Sequence, residues 1–370
     1  MTRPRRRVAV LAASIAAAVI TGGPGVPAQA TADPADSTGF HPSSTSWTSP
    51  TSGWVLGWAS CRSGLCPALQ HTADGGATWS KGETPDIQPS EVGFQTRVFF
   101  AESRGHRIGL ITNSQDLFVT YDDARTWQRL ELPHAQVVGG IGADARSVYV
   151  VGHEQLGQQV STMAFSSPFV HPRWQAVPGV ATTEPGGIYT TKSVVTGSGR
   201  AVQISTSTYG GGVELWTALN GRRFKPASPC SPESVMYAAM GANHQQYVLC
   251  SSSPGRGNMY KELRTGSADD GFGTVVGTPP IDGITSDFAV SVESTIAVGA
   301  TKNGAGLVHG SFDGGQTWQT TLLAVDTGPV RDLTFQDARY GVLIAGTSEI
   351  GSSVLYRTDD GGHSWTPLEL

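Results

Sequence analysis

The sequence predicts an all-β protein built from seven copies of one four-stranded unit, on the evidence of its composition, its strand-like runs and an internal repeat. Glycine and proline account for 47 and 22 of 370 residues, while charged residues make up only 15%. These proportions disfavour coiled coils and helical bundles, which need charged helices that are poor in glycine. Hydrophobic residues reach 38% and nine residues are tryptophan, which argues against disorder.

The first thirty residues have the parts of a secretory signal peptide. A basic segment, Arg3–Arg7, precedes an apolar run over 8–20 and a small-residue site at 28–30. The run is shorter than the roughly 20 residues of a transmembrane helix, so a retained signal anchor is the less favoured alternative. We therefore expect a secreted protein cleaved after Ala30. The general secretory and twin-arginine routes both remain open.

The charge balance limits the partners of the mature chain. Removing the four arginines of the signal lowers the formal net charge from −5 to −9. No basic face of the size that nucleic-acid binding needs is visible, and an anionic membrane surface is an equally poor partner. We expect no nucleic acid, no membrane insertion after cleavage, and a monomer.

Four segments share the pattern Ser/Thr-x-Asp-x-Gly-x-Thr/Ser-Trp, with Ala124 replacing the glycine in the second. They end at Trp79, Trp127, Trp318 and Trp365. The first two tryptophans are 48 residues apart, the last two 47, and the gap of 191 between the pairs is about four such steps. Three degenerate copies are therefore expected between them, ending at Trp174, Phe224 and Thr274. The fifth copy of the seven keeps Ser267, Asp269 and Gly271.

Each copy has room for four strands. Runs with period-two alternation, rich in valine, isoleucine, threonine and aromatic residues, precede and follow each Asp-containing segment. Four strands in about 48 residues, repeated seven times, are typical of blades of a β-propeller. The sequence thus predicts a flexible leader over 31–42 and a single seven-bladed propeller over 43–370. The ring would close by packing of the first blade on the last, or by addition of residues 36–42 to the last sheet.

The repeated pattern resembles the Asp-box (bacterial neuraminidase repeat) families. It is most similar to the seven-bladed propellers related to the photosystem II stability/assembly factor, which are grouped as WD40/YVTN/BNR-like repeat proteins. The resemblance covers roughly residues 43–370. It implies four-stranded antiparallel blades with the box between the third and fourth strands, and it implies almost nothing about activity.

The residues of the box suit a structural turn. The aspartates can accept hydrogen bonds from backbone N–H groups, the following glycines tolerate positive φ, and the tryptophans can bury their rings between neighbouring sheets. A calcium site is disfavoured because each box has too few carboxylates for six to eight oxygen ligands. These structural residues are Asp74, Trp79, Asp122, Trp127, Asp313, Trp318, Asp360 and Trp365.

The four cysteines of an exported chain are expected to form disulfides. Three connectivities are open, and local pairing is favoured because Cys61 and Cys66 flank the turn between the second and third strands of the first blade. Cys230 and Cys250 are expected to link the entry of the fifth blade to the end of its second strand. No histidine has zinc-ligand spacing beside either pair, so we expect no metal and no cofactor.

In propellers of this kind the ligand face is the one opposite the boxes, which carries the turns between second and third strands. A long link over 81–95 adds to this face. Roughly one polar or aromatic residue per blade is a ligand-binding candidate there: Arg62, His153, Glu154, Tyr209, Arg256, Lys302 and Glu349.

No catalytic residue is identified. The Arg-Ile-Pro motif of sialidases is absent, since Arg107-Ile108 is followed by Gly109, and no common hydrolase or nucleotide-binding motif is present. We therefore expect a non-catalytic scaffold that binds a protein or a cell-envelope or extracellular glycan. The alternative is a glycoside hydrolase or lyase with an unrecognised site, which two carboxylates 5–10 Å apart in a cleft on the ligand face would favour.

Overall fold

The structure is a computed structural model that describes most of residues 39–370. Residue 63, the side chain of Pro254 and the ranges 89–95, 189–190, 209–212, 242–243, 292–294, 324–326 and 347–352 are outside the description. The predicted signal peptide, its cleavage site and residues 31–38 of the leader also lie outside it.

Seven antiparallel sheets of four strands each are arranged in a ring, and each sheet takes its strands in chain order. Blade 1 contains β1 (Phe40–Trp47), β2 (Gly53–Cys61), β3 (Gly64–Thr72) and β4 (Ser80–Gly82). Blade 2 contains β5 (Arg97–Ser103), β6 (His106–Thr112), β7 (Leu117–Thr120) and β8 (Gln128–Arg129). Blade 3 contains β9 (Val137–Ala143), β10 (Ser147–Leu156), β11 (Gln159–Pro168) and β12 (Gln175–Pro185).

The remaining blades follow the same plan. Blade 4 contains β13 (Thr191–Ser198), β14 (Ala201–Thr208), β15 (Val213–Ala218) and β16 (Lys225–Ala227). Blade 5 contains β17 (Val235–Met240), β18 (Gln246–Gly255), β19 (Asn258–Gly266) and β20 (Thr274–Gly277). Blade 6 contains β21 (Ile284–Val290), β22 (Ile296–Lys302), β23 (Ala305–Ser311) and β24 (Gln319–Leu322). Blade 7 contains β25 (Val330–Phe335), β26 (Gly341–Gly346), β27 (Ser353–Thr358) and β28 (Thr366–Pro367).

The predicted fold class is confirmed, and the repeat has the predicted phase. Six of the seven anchor residues lie immediately before a fourth strand, and Thr274 is the first residue of β20. The second strands are largely buried, because blades pack against both of their faces. All six residues of β26, Gly341–Gly346, are buried. Strands covered on both sides leave few places for charge, which accounts for the low charged fraction.

The ring closes through packing between blade 1 and blade 7, each of which supplies its own four strands. Val55 of blade 1 packs in one apolar cluster with Val342 and Ile344 of blade 7. Polar contacts support it, such as Trp79 Nε1 donating to the carbonyl oxygen of Glu369 at 2.9 Å. Residues 40–42, which the sequence assigned to the leader, begin β1 and pair with β2 rather than with the last sheet. They do so because the first blade needs a full-length innermost strand.

Both disulfides have the predicted pairing. The Cα atoms are 5.9 Å apart for Cys61–Cys66 and 5.5 Å apart for Cys230–Cys250. Cys250 lies inside β18, opposite Met236, rather than at the end of its strand as expected, because β18 continues to Gly255. None of the helices that the described residues form is long and apolar enough to cross a membrane.

Four turns between third and fourth strands carry the repeated aspartates, and we call them the Asp turns (at Asp74, Asp122, Asp313 and Asp360). In the turn of blade 6, Asp313 Oδ1 accepts from Ser311 Oγ and from the backbone N–H of Thr317, both at 2.9 Å. Its Oδ2 accepts from the Thr317 hydroxyl at 2.6 Å. The other three turns repeat these bonds. The turn's own donors thus engage both carboxylate oxygens, as a structural role requires.

The Asp turns need positive φ at two successive positions. Gly314 and Gly315 have φ of 74° and 99°, and the equivalent Asp123 and Ala124 have 60° and 61°. In the degenerate turn of blade 5, the sequence alignment selected the wrong aspartate. Asp270, not Asp269, accepts from the backbone N–H groups of Ser267 and Phe272.

The aromatic anchors lie between neighbouring blades, and their burial varies. Trp365 is only 2% exposed, in a cluster shared by blades 6 and 7. Trp79, Trp127 and Trp318 are half-buried. In blade 5, Phe272 is fully buried where the tryptophan is absent.

Candidate functional site

The loop-face candidates are placed separately around the ring. Arg62 and Arg256 are exposed in the β2–β3 and β18–β19 turns. Lys302 ends β22 and pairs with Asp282, with 2.7 Å between Nζ and Oδ1. Glu154 Oε2 is 3.4 Å from His134 Nδ1. Tyr209 and Glu349 lie outside the described residues.

His153 is a core residue and not a surface ligand group, which corrects the prediction made for it. Its side chain is fully buried in β10. Nδ1 is 2.9 Å from the Thr162 hydroxyl, and Nε2 is 3.0 Å from the Ser193 hydroxyl of blade 4. Burial lowers the pKa of His153 to about 4, so the ring is neutral at physiological pH. The strand continues for three residues beyond His153, which places it below the surface.

The long link after blade 1 also packs inward over its described part. Ile87 is 1% exposed within the apolar cluster shared by blades 1 and 2. Residues 89–95 of the link are outside the described residues.

The described residues form a wide central channel that brings polar side chains together, with a cavity of about 1150 Å³. Its wall is formed by the innermost strands, which are the first strands of the blades. The wall residues include Thr45, Phe99, Ile141, Val194, Ala238, Phe288 and Leu333. Innermost strands line the channel because the first strand of each blade faces the ring axis.

Five charged residues lie in the first halves of these strands. They are Arg97, Lys192, Asp287, Arg331 and Asp332. The first strand of each blade starts at the face opposite the Asp turns, so these residues form the channel mouth on the predicted ligand face. The sequence offered one signal for them, which was a charged residue near the start of an otherwise apolar inner strand. This signal does not identify the site by itself, because nothing local shows that these strands meet.

The two carboxylates of the channel mouth join neighbouring blades. Asp287 Oδ1 accepts from the backbone N–H of Phe288 at 2.8 Å, and its Oδ2 accepts from the backbone N–H of Leu333 in blade 7 at 2.9 Å. Asp332 Oδ2 accepts from the backbone N–H of Thr45 in blade 1 at 2.8 Å. Burial raises the pKa of Asp287, and the nearby Lys192 ammonium opposes that shift.

Lys192 reaches across the channel mouth from blade 4 to blade 6. Its Nζ donates to the carbonyl oxygen of Ser286 at 3.1 Å and lies 3.9 Å from the ring centroid of Tyr237 in blade 5. Desolvation, with a smaller contribution from Arg97, lowers the pKa of Lys192 to about 8, although Asp287 and Asp332 oppose the shift. The amine is therefore mostly protonated at neutral pH.

Arg97 is the first residue of β5 and is half-buried in the same wall. Among the described residues, its guanidinium group has no hydrogen-bond or ion-pair partner, whereas Arg107 at the other end of the strand pair is bound to Glu102 and Asp123. The same part of the chain contains no group of three or more histidine, cysteine, aspartate or glutamate side chains arranged to hold a metal ion.

Comparison with known proteins shows the fold alone. No protein-family model matches the chain, and no curated protein matches it. The Neurospora crassa Pan2 WD40 domain is similar in structure, with 9% identity, 93% of this chain and 97% of that chain covered, and a TM-score of 0.53. The β-propeller domain of the Trilobed protease from Pyrococcus furiosus, which has an open velcro topology, gives 9% identity, 90% and 98% coverage, and a TM-score of 0.54.

YCF48 from Cyanidioschyzon merolae is also similar, with 14% identity and 89% and 85% coverage. Its TM-score of 0.35 is too low to support an argument.

Proposed function

We propose that this protein is an exported, non-catalytic Asp-box propeller that binds an extracellular or cell-envelope glycan at the channel mouth. A protein ligand is the alternative occupant. The observation that carries the proposal is the convergence of charged and hydroxyl-bearing side chains from several blades on one wide cavity. Export is supported by the predicted signal peptide and by two disulfides, which form in oxidising compartments.

The size and lining of the channel suit a glycan. Small-molecule pockets usually enclose about 300–1000 Å³. The channel exceeds that range at about 1150 Å³, which leaves room for more than one sugar residue. Thr196 and Thr334 contribute hydroxyl groups to the wall, and backbone groups of Gly139 and Gly142 approach it without side chains. Sugar hydroxyls both donate and accept hydrogen bonds, so a wall of this kind can satisfy them.

One observation favours the hydrolase alternative. Asp287 and Asp332 lie on neighbouring inner strands of one cavity, and the pKa of Asp287 is raised by burial, as it is in a general acid. Against this reading, both oxygens of Asp287 already accept backbone N–H groups. Backbone hydrogen bonds of this kind favour the ionised form and hold the carboxylate in place, which suits a structural bridge better than proton transfer.

The test is binding of the mature protein to an immobilised glycan array and to the proteins of a bacterial secretome. Val194→Phe places a larger side chain in the channel without changing the charge. Val275→Phe makes the same change on an exposed outer strand and is the matched control. We expect Val194→Phe to abolish glycan binding and Val275→Phe to preserve it. Equal binding by both variants would refute the site.

Enzymatic turnover is tested separately with the same glycans. Release of reducing ends that Asp287→Asn or Asp332→Asn abolishes in folded protein would establish the hydrolase instead. Selective capture of a secreted protein, lost in Val194→Phe, would establish the protein ligand.

A further inference from the structure

Three cations and two carboxylates line the channel mouth, so positive charge is in excess there. Arg97 and Lys192 are close enough for the charge of Arg97 to lower the pKa of Lys192. The described residues provide no hydrogen-bond or ion-pair partner for the guanidinium of Arg97. Among the charges that act on the Lys192 amine, Arg97 repels it, whereas Asp287 and Asp332 attract it, and such effects are stronger in a partly desolvated cavity than in water.

The carboxylates of Asp287 and Asp332 attract Lys192, but within the described part of the chain neither forms an ion pair with Arg97. Both oxygens of Asp287 and one oxygen of Asp332 accept backbone N–H groups of the inner strands. These bonds tie the carboxylates to the wall, while Lys192 is directed to the carbonyl oxygen of Ser286 and the ring of Tyr237. A ligand anion is the group that would complete the charge balance at this mouth.

We propose that Arg97 and Lys192 form a subsite for an anionic group of the bound glycan, a carboxylate or a phosphate. This inference rests on the proposed function and specifies the chemistry of the ligand. Arginine suits the role because its planar guanidinium donates two parallel hydrogen bonds to either group. The mature chain carries a formal charge of −9, whereas the subsite is positively charged. The subsite would therefore bind an anion through its own cations, because the net charge of the protein repels anions.

The groups that face Lys192 determine how binding depends on pH. Arg97 on β5, Tyr237 on β17, Asp287 on β21 and Asp332 on β25 surround its amine. An anion binds the protonated amine, whose pKa is about 8. Affinity is therefore expected to fall as pH rises from 7 to 9, and this fall should disappear in Lys192→Met.

The experiment measures affinities by calorimetry with three probes of equal length: an oligogalacturonate, an oligomer of glycerol phosphate and a neutral oligogalactan. The first two distinguish a carboxylate from a phosphate as the source of the anion. Arg97→Gln is the decisive variant, because its guanidinium makes no bond within the described fold whose loss would destabilise the protein. Arg104→Gln, at the opposite end of the cavity, is the matched control.

We expect at least one anionic probe to bind at least tenfold more tightly than the neutral one, and Arg97→Gln to remove that preference while Arg104→Gln keeps it. Equal affinity for anionic and neutral probes, or a preference that Arg97→Gln leaves intact, would overturn the anion subsite. The proposed function would survive that result if Val194→Phe still abolished binding. Both the anion subsite and the proposed function would be refuted only if the channel mouth bound no glycan at all.

Discussion

Buried His153 is expected to make the protein sensitive to mild acid. Its ring joins Thr162 of blade 3 to Ser193 of blade 4 and is held neutral. Its pKa is about 4 in the folded protein and 6.5 in the unfolded chain. The unfolded chain therefore binds more protons between these values. The contribution of His153 to stability is complete above pH 6.5 and is lost as the pH falls from 6.5 through 4.

The size of the effect follows from the shift. A difference of about 2.5 pKa units corresponds to about 3 kcal/mol of unfolding free energy at 1.36 kcal/mol per unit. His309 of blade 6 is also buried, and its pKa is also lowered to about 4, so it adds a similar loss over the same range. Losses of this size approach half of the stability of a typical domain.

The assay is urea unfolding followed by tryptophan fluorescence at pH 7.5, 6.5, 5.5 and 4.5. We expect the unfolding free energy of the wild type to fall steeply below pH 6.5. We expect His153→Gln to reduce the slope of this fall with pH by the equivalent of about one bound proton. His106→Gln changes an exposed histidine and is the matched control. A wild-type free energy that stays constant from pH 7.5 to 4.5, or a slope that His153→Gln does not change, would refute the reasoning.

Three further predictions concern the blades. Trp365→Ala should lower the unfolding free energy by about 3–5 kcal/mol and Trp318→Ala by less, because only Trp365 is fully buried; equal losses in urea titrations would contradict this ordering. Replacing Cys230 and Cys250 by serine should cost about 3 kcal/mol and opening the smaller disulfide about 2, since the longer loop restricts the unfolded chain more; a reversed order in thermal unfolding would count against it. Asp313 has a pKa lowered to about 2 by the Thr317 hydroxyl and N–H, so its turn should keep its contribution down to about pH 4 and lose it between pH 4 and 2. Chemical shifts that titrate near pH 4 would contradict that value.

The predictions that succeeded depend on local chemistry. The spacing of the Asp turns gave the number of blades, because each turn and its flanking strands form within one unit of about 48 residues. The pairing of Cys61 with Cys66 followed from the same logic, since the two lie across one hairpin. The choice of Asp269 over Asp270 failed at the same local level, because the two aspartates are adjacent and an alignment does not show which of them accepts the backbone N–H groups of the turn.

The sequence by itself determined the repeat, the blade count, the turn chemistry and the disulfide pairing. Only the tertiary structure decided that His153 is buried and that Arg97, Lys192, Asp287 and Asp332 meet at one end of the channel. The physical reason is distance along the chain. The four channel side chains belong to four different blades, and closure of the ring brings them around one axis, which no local pattern encodes.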